Sequence, residues 1–172
     1  GLQIISERKD YKHDVIVDEN QCEWRIESRP FGVFKRNLTD NGPVEFELTA
    51  PKIPWAIVEE TIELFRKNPT YEFAVQIFYD VEKRTYSIYV PEQKCGRGHV
   101  VFQRDFEMEE KKVLVMDIHS HASFQAFFSY TDNEDEKGIR LYMVIGNLDK
   151  PRCSFKIRAG MAGAFGEITL AD

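Results

Sequence analysis

VLVMDIHSHASFQAFFSYTDNEDE, residues 113–136, begins as an apolar run and ends as a cluster of carboxylates, with two histidines at the join. Its first six residues are apolar on both alternating faces except at Asp117, the pattern of a central strand covered on both sides. Histidines at i and i+2 of an extended chain project from the same face, so His119 and His121 can reach one ion. The chain has four histidines in all, and half of them stand here.

Ser129 followed by YTDNEDE reads as a helix N-cap with acidic residues in the first turn, where they favour the helix dipole. The carboxylate of Asp132 also offers a third ligand, and two histidines plus one aspartate with an open position is the ligand set of a catalytic zinc rather than a structural one. The two readings are compatible. A capped helix starting at the sheet edge is one way to hold Asp132 opposite the histidines.

Upstream, PWAIVEETIELFRKN (54–68) is an amphipathic helix: Pro54 suits a first turn, and Trp55, Val58, Ile62 and Phe65 recur at steps of three and four. Ile57 and Leu64 widen this stripe, while Glu59, Glu60, Glu63 and Lys67 fall on the opposite face, toward water. Asn68 and Pro69 stop the helix. The segments YEFAVQIFYD (71–80), RTYSIYV (84–90), HVVFQRD (99–105), IRLYMVIG (139–146) and CSFKIRAG (153–160) read as further strands, with a turn at VEK between the first two. Before the helix, DVIVDE, CEWRIESRPFGVFKRN and VEFELTA look like short strands, the last preceded by the turn TDNGP. The expected class is therefore α/β or α+β, a mixed sheet flanked by helices, with a strand-rich extension over residues 1–50 and a core over 51–172.

Composition narrows the function. The 172 residues suffice for one domain with a sizeable core. A net charge of −6 offers no general attraction to nucleic-acid phosphates, and no apolar run approaches a membrane span. Cys22, Cys95 and Cys153 form no C-x-x-C pair and read as reduced thiols. Cys95 and His99 in KCGRGH have a spacing that could bind metal but read better as a Gly-rich turn. The N-terminal residues lack a secretory-signal pattern, so a cytoplasmic setting is expected.

DIHSH, a gap of seven residues and SYTD together resemble the motif of the JAMM metalloproteases, also called MPN+ or JAB, and AFFSYTDNEDE resembles their prokaryotic branch. The resemblance covers about residues 53–170. It implies a JAB/MPN-like core, related to the cytidine-deaminase fold, and a zinc isopeptidase acting on ubiquitin-like proteins. It further implies that His119, His121 and Asp132 bind one Zn2+ with a water, and that Ser129 stabilises an oxyanion. The family also uses an upstream glutamate, and Glu72 fits, because it follows the Pro69 break and points opposite Phe73, Val75 and Ile77. Many relatives carry Pro after the second histidine, Pro before the serine, and Gly three residues after the glutamate; this chain has Ala122, Phe128 and Val75.

The implied partners are a ubiquitin-like protein or its conjugate and activating- and conjugating-enzyme-like proteins of the same pathway. Three rival functions remain on sequence grounds: a peptidase releasing a residue or tail from a sulfur-carrier protein, a small-molecule amidase, and a metal-free MPN-type scaffold. Metallo-β-lactamase and polymerase–histidinol-phosphatase sites fit poorly, because they need more histidines than His13 and His99 can add. Phe124, Phe127 and Phe128 could pack or could shape a substrate channel. Asp117 could partner a metal ligand or hydrogen-bond within the core.

Overall fold

A computed structural model describes residues 11–67, 72–91, 93–96, 99–102 and 112–169. The first four strands, β1 (Lys12–Val17), β2 (Glu23–Arg29), β3 (Gly32–Asn37) and β4 (Glu45–Leu48), form an antiparallel meander in chain order. Helix α1 (Trp55–Arg66) follows, then β5 (Ala74–Asp80), β6 (Thr85–Tyr89), the pair β7 (Gln93–Gly96) and β8 (His99–Phe102), and β9 (Val113–Ser120). A short helix, α2 (Tyr130–Asp135), leads to β10 (Arg140–Gly146), β11 (Ser154–Met161) and β12 (Ala164–Ile168).

The main sheet runs β12-β11-β10-β9-β5-β6. Only its β9–β10 pair is parallel, so the sheet is mixed and the molecule is α+β. Strand β9 lies centrally, as the apolar run around Asp117 required, with β5 and β10 beside it almost wholly buried.

Directly paired residues share a face, and this divides the sheet's two surfaces. One carries Met116, Ile118, Ile77, Met143, Ile145 and Ala159, which pack with Phe65 of α1 and with Phe31, Phe34 and Val44 from the N-terminal strands in one continuous core. The other carries Asp117 and His119 beside Gln76, Ala74, Tyr142 and Val144.

Several expectations change in detail. CEWRIESRPFGVFKRN is not one strand but a hairpin, turned at Pro30–Phe31. Residues 11–50 form a second layer on the sheet, with Phe31 and Phe34 fully buried in the shared core and Val44 N donating to Phe165 O of β12 at 3.2 Å. Pro54 caps α1 from an extended conformation rather than entering its first turn. Trp55 is half exposed and meets Phe155 edge-on at 5.9 Å, whereas Thr61 is buried. Strand β12 was not foreseen. Of KCGRGH, Lys94–Gly96 lie in β7 and His99 in β8, with Gly96 paired to His99. Asn68, Pro69 and the end of HVVFQRD lie outside the described residues.

Candidate metal centre

Strand β9 delivers His119 from within its ladder, paired with Val144 and Ala74. The backbone then turns sharply. His121 N donates to Ile145 O at 2.8 Å, Phe124 N donates to His121 O at 2.9 Å, and Ala122 takes a left-handed conformation with φ 51°. Proline, fixed near φ −65°, could not occupy that backbone. The departure at Ala122 thus belongs to the shape of the turn.

Helix α2 delivers the carboxylate. Ser129 Oγ accepts from Asp132 N at 3.1 Å and Ser129 N donates to Asp132 Oδ2 at 2.8 Å, a reciprocal capping box. The cap expected from sequence is therefore present, and it orients the acid: Asp132 Oδ2 lies 3.4 Å from His119 Nε2 and 3.9 Å from His121 Nε2.

One ligand atom from each of His119, His121 and Asp132 lies within 4.8 Å of the other two. Ligands about 2.1 Å from a tetrahedral ion stand about 3.4 Å apart, so the spacing suits a single small cation. The buried Nε2 of His119 has no hydrogen-bond partner among the described residues, an expense rarely left uncompensated and one that a bound ion would remove. Burial works against charge on both groups, but their mutual proximity wins. Asp132 is held well below the carboxylate range by His119, His121 and the Ser129 N–H, and His119 is raised by Asp132, then by Glu136 and Glu72. Metal binding would compete with protons for these ligand atoms.

These groups line a cleft of about 740 Å³ together with Glu72, Phe124 and Phe127. Glu72 precedes β5, two residues before Ala74, the partner of His119, and alternation puts it on the histidine side of the sheet. Phe73 N donates to Ser120 Oγ at 3.0 Å and Ser120 N to Phe73 O at 2.9 Å, which locks the chain beside Glu72 to β9. Phe127 stands edge-on to His121 at 4.6 Å and is half exposed, and Phe124 is 72% exposed. Phe128 stands edge-on to His119 at 6.4 Å and covers the Arg158 guanidinium at 3.9 Å.

Asp117 accepts from Gln76 Nε2 at 3.1 Å and from Arg140 Nη1 at 2.8 Å, the partners recorded for its carboxylate. Sequence reasoning missed Gln76 and Arg140. A polar residue inside an otherwise apolar strand was the signal for Gln76, as it was for Asp117. Glu136, half-buried in the same cleft and paired with Arg158, was also missed; burial pushes its carboxyl up to about 7 although the guanidinium opposes this.

A family model of prokaryotic homologs of the JAB domain matches residues 57–158, a span that includes every residue of this centre. The chain belongs to the prokaryotic JAB family. The N-terminal meander lies outside the matched JAB segment. The solution structure of protein DSY2949 from Desulfitobacterium hafniense is similar in fold, at 16% identity over 67% of this chain and 88% of that one, with a TM-score of 0.54. No curated protein matches this JAB chain. Among its described residues no helix is long and apolar enough to cross a membrane.

Proposed function

We propose that this JAB protein is a zinc-dependent hydrolase that cuts the amide or isopeptide bond at the C-terminus of a ubiquitin-like protein, within a bacterial ubiquitin-like pathway in the cytoplasm. The observation that carries this reading is the convergence of ligand atoms from His119, His121 and Asp132 on one buried point in a cleft that also holds Glu72 and Ser129.

Bound zinc supplies a Lewis acid and brings the pKa of a coordinated water toward ~7. The chain's own residues do the rest. Glu72 accepts the proton of the attacking water and returns it to the leaving amine. Ser129 Oγ already accepts from Asp132 N, which leaves its own O–H to donate to the developing oxyanion. Asp132 is held ionised by the imidazoles beside it, as a ligand must be. Phe124 and Phe127 form an apolar wall for an extended chain entering the cleft.

The test compares wild-type protein with Glu72→Gln, both purified in excess zinc. Bound metal is measured by elemental mass spectrometry, and cleavage is measured on ubiquitin-like proteins carrying a C-terminal amide-linked extension. The variant is expected to keep the metal and lose turnover by about 10²–10⁴, the usual worth of a general base. Native-rate cleavage by Glu72→Gln would remove that residue from the mechanism. Zinc-loaded wild-type protein that hydrolyses small amides but no ubiquitin-like fusion would move the assignment to an amidase.

A further inference from the structure

Helix α2 carries Asp132 yet has little to hold it. It is six residues long with none buried, well short of the ~12–15 residues at which an isolated helix becomes even marginal. The capping box orders its first turn internally but does not fasten it to the sheet.

Arg158 supplies that fastening. It stands on β11 opposite Tyr142 and Glu167, on the sheet face that also bears Asp117 and His119. The residue is 6% exposed. Its guanidinium is sandwiched between the rings of Phe128, at 3.9 Å, and Phe165, at 3.6 Å. Nη1 donates to Asn133 Oδ1 at 2.7 Å, while Nη2 and Nε donate to Glu136 Oε1 at 3.0 and 3.3 Å.

These partners occupy telling positions. Phe128 immediately precedes the cap Ser129, Asn133 is the fourth helical residue, and Glu136 is the C-cap. In many helices the residue before the cap and the fourth residue are both apolar and touch each other as a staple. Here the guanidinium stands between them, ring-stacked to one and hydrogen-bonded to the other. Both ends of α2 are thereby referenced to β11, which joins β9 through β10.

We infer that Arg158 is a positioning residue for the metal centre: by clamping both ends of α2 to the sheet, it fixes Asp132 at ligating distance from His119 and His121. The inference rests on the metal-centre reading. It also accounts for Phe128, one of the chain's departures from its relatives, as the upper plate of the clamp.

The test is zinc affinity, measured by competition with a chromophoric chelator, alongside the thermal midpoint of the metal-free protein. Arg158→Met keeps an apolar stem between the rings and removes every donor; it is expected to bind zinc about tenfold more weakly, the low end for loss of a group that orients a ligand. Arg158→Lys should not restore affinity, because an ammonium cannot present the planar fork that spans Asn133 and Glu136. Asn133→Ala, at an exposed position where misfolding is not at issue, should weaken zinc about threefold, half of the tenfold loss on a free-energy scale, because Asn133 is one of the two residues that accept from the guanidinium. Wild-type zinc affinity in both Arg158→Met and Asn133→Ala would overturn the inference, even if the thermal midpoint fell. If Arg158→Met does not fold, unchanged affinity in Asn133→Ala alone overturns it. Wild-type protein that binds no zinc would overturn the metal-centre reading, and the clamp with it.

Discussion

Ser129 is asked to do two things, and they can be separated by substitution. Its Oγ accepts from Asp132 N at 3.1 Å as a helix cap, and its O–H is proposed to donate to the oxyanion. Ser129→Ala removes both, although the reciprocal bond from Ser129 N to Asp132 Oδ2 is made by backbone and survives. Loss of a side-chain cap costs about 1 kcal/mol, which for a chain of this size lowers Tm by about 2–4 °C. Ser129→Gly costs only a few tenths of a kcal/mol at a cap position and should hold Tm within about 1 °C of wild type. Glycine offers no side-chain donor, and removal of one oxyanion donor costs about 10²–10³ in turnover. Zinc content should be unchanged in both variants, because no ligand atom is altered. The assay is thermal denaturation together with cleavage kinetics on the amide-linked fusion. Ser129→Gly with wild-type turnover would refute the oxyanion role and leave Ser129 as a cap alone.

Further outcomes follow from the same structure. His119→Ala should lose the metal, and zinc should raise the wild-type melting temperature but not the variant's; ion at a hundred times its Kd stabilises by about 2.7 kcal/mol, readable by calorimetry. Ala122→Gly should be neutral or stabilising by up to about 1 kcal/mol, because it relieves a left-handed alanine, whereas Ala122→Pro should displace His121 and abolish zinc binding, checked by elemental analysis. Glu27, buried against His13, Arg25 and Arg29, is pushed up by burial, but its partners outweigh this and hold it below its ordinary value of 4.5. Its contribution is therefore full above pH 4.5 and is lost as pH falls through the lowered value. Glu27→Gln should cost about 1.5–3 kcal/mol at pH 7, with the gap to wild type closing in acid denaturation curves as pH falls through the lowered value.

The elements visible in the sequence were those whose signal is local. The three- and four-residue recurrence through Val58, Ile62 and Phe65 marked α1, and the doubly apolar run around Asp117 marked β9 as central. The i, i+2 histidines needed only the period of a strand, and Ser129 with Asp132 needed only the chemistry of a helix start. Strand β12 carried too weak a pattern, because AFGEI is short and interrupted by Gly166, whose missing side chain admits the Val44 backbone. That approach links residues more than a hundred positions apart, and no local period encodes it.

The sequence by itself determined which side chains could ligate a cation and which way each would face along its own strand or helix, because those are matters of residue chemistry and short-range periodicity. Only the tertiary structure decided that α2 returns over β9 so that Asp132 meets the histidines. It also decided that Gln76 and Arg140 hold Asp117, that Arg158 anchors the helix, and that the first strands close the opposite face of the sheet. Those outcomes depend on strand register and on burial summed over distant residues, quantities that exist only once the chain has packed against itself.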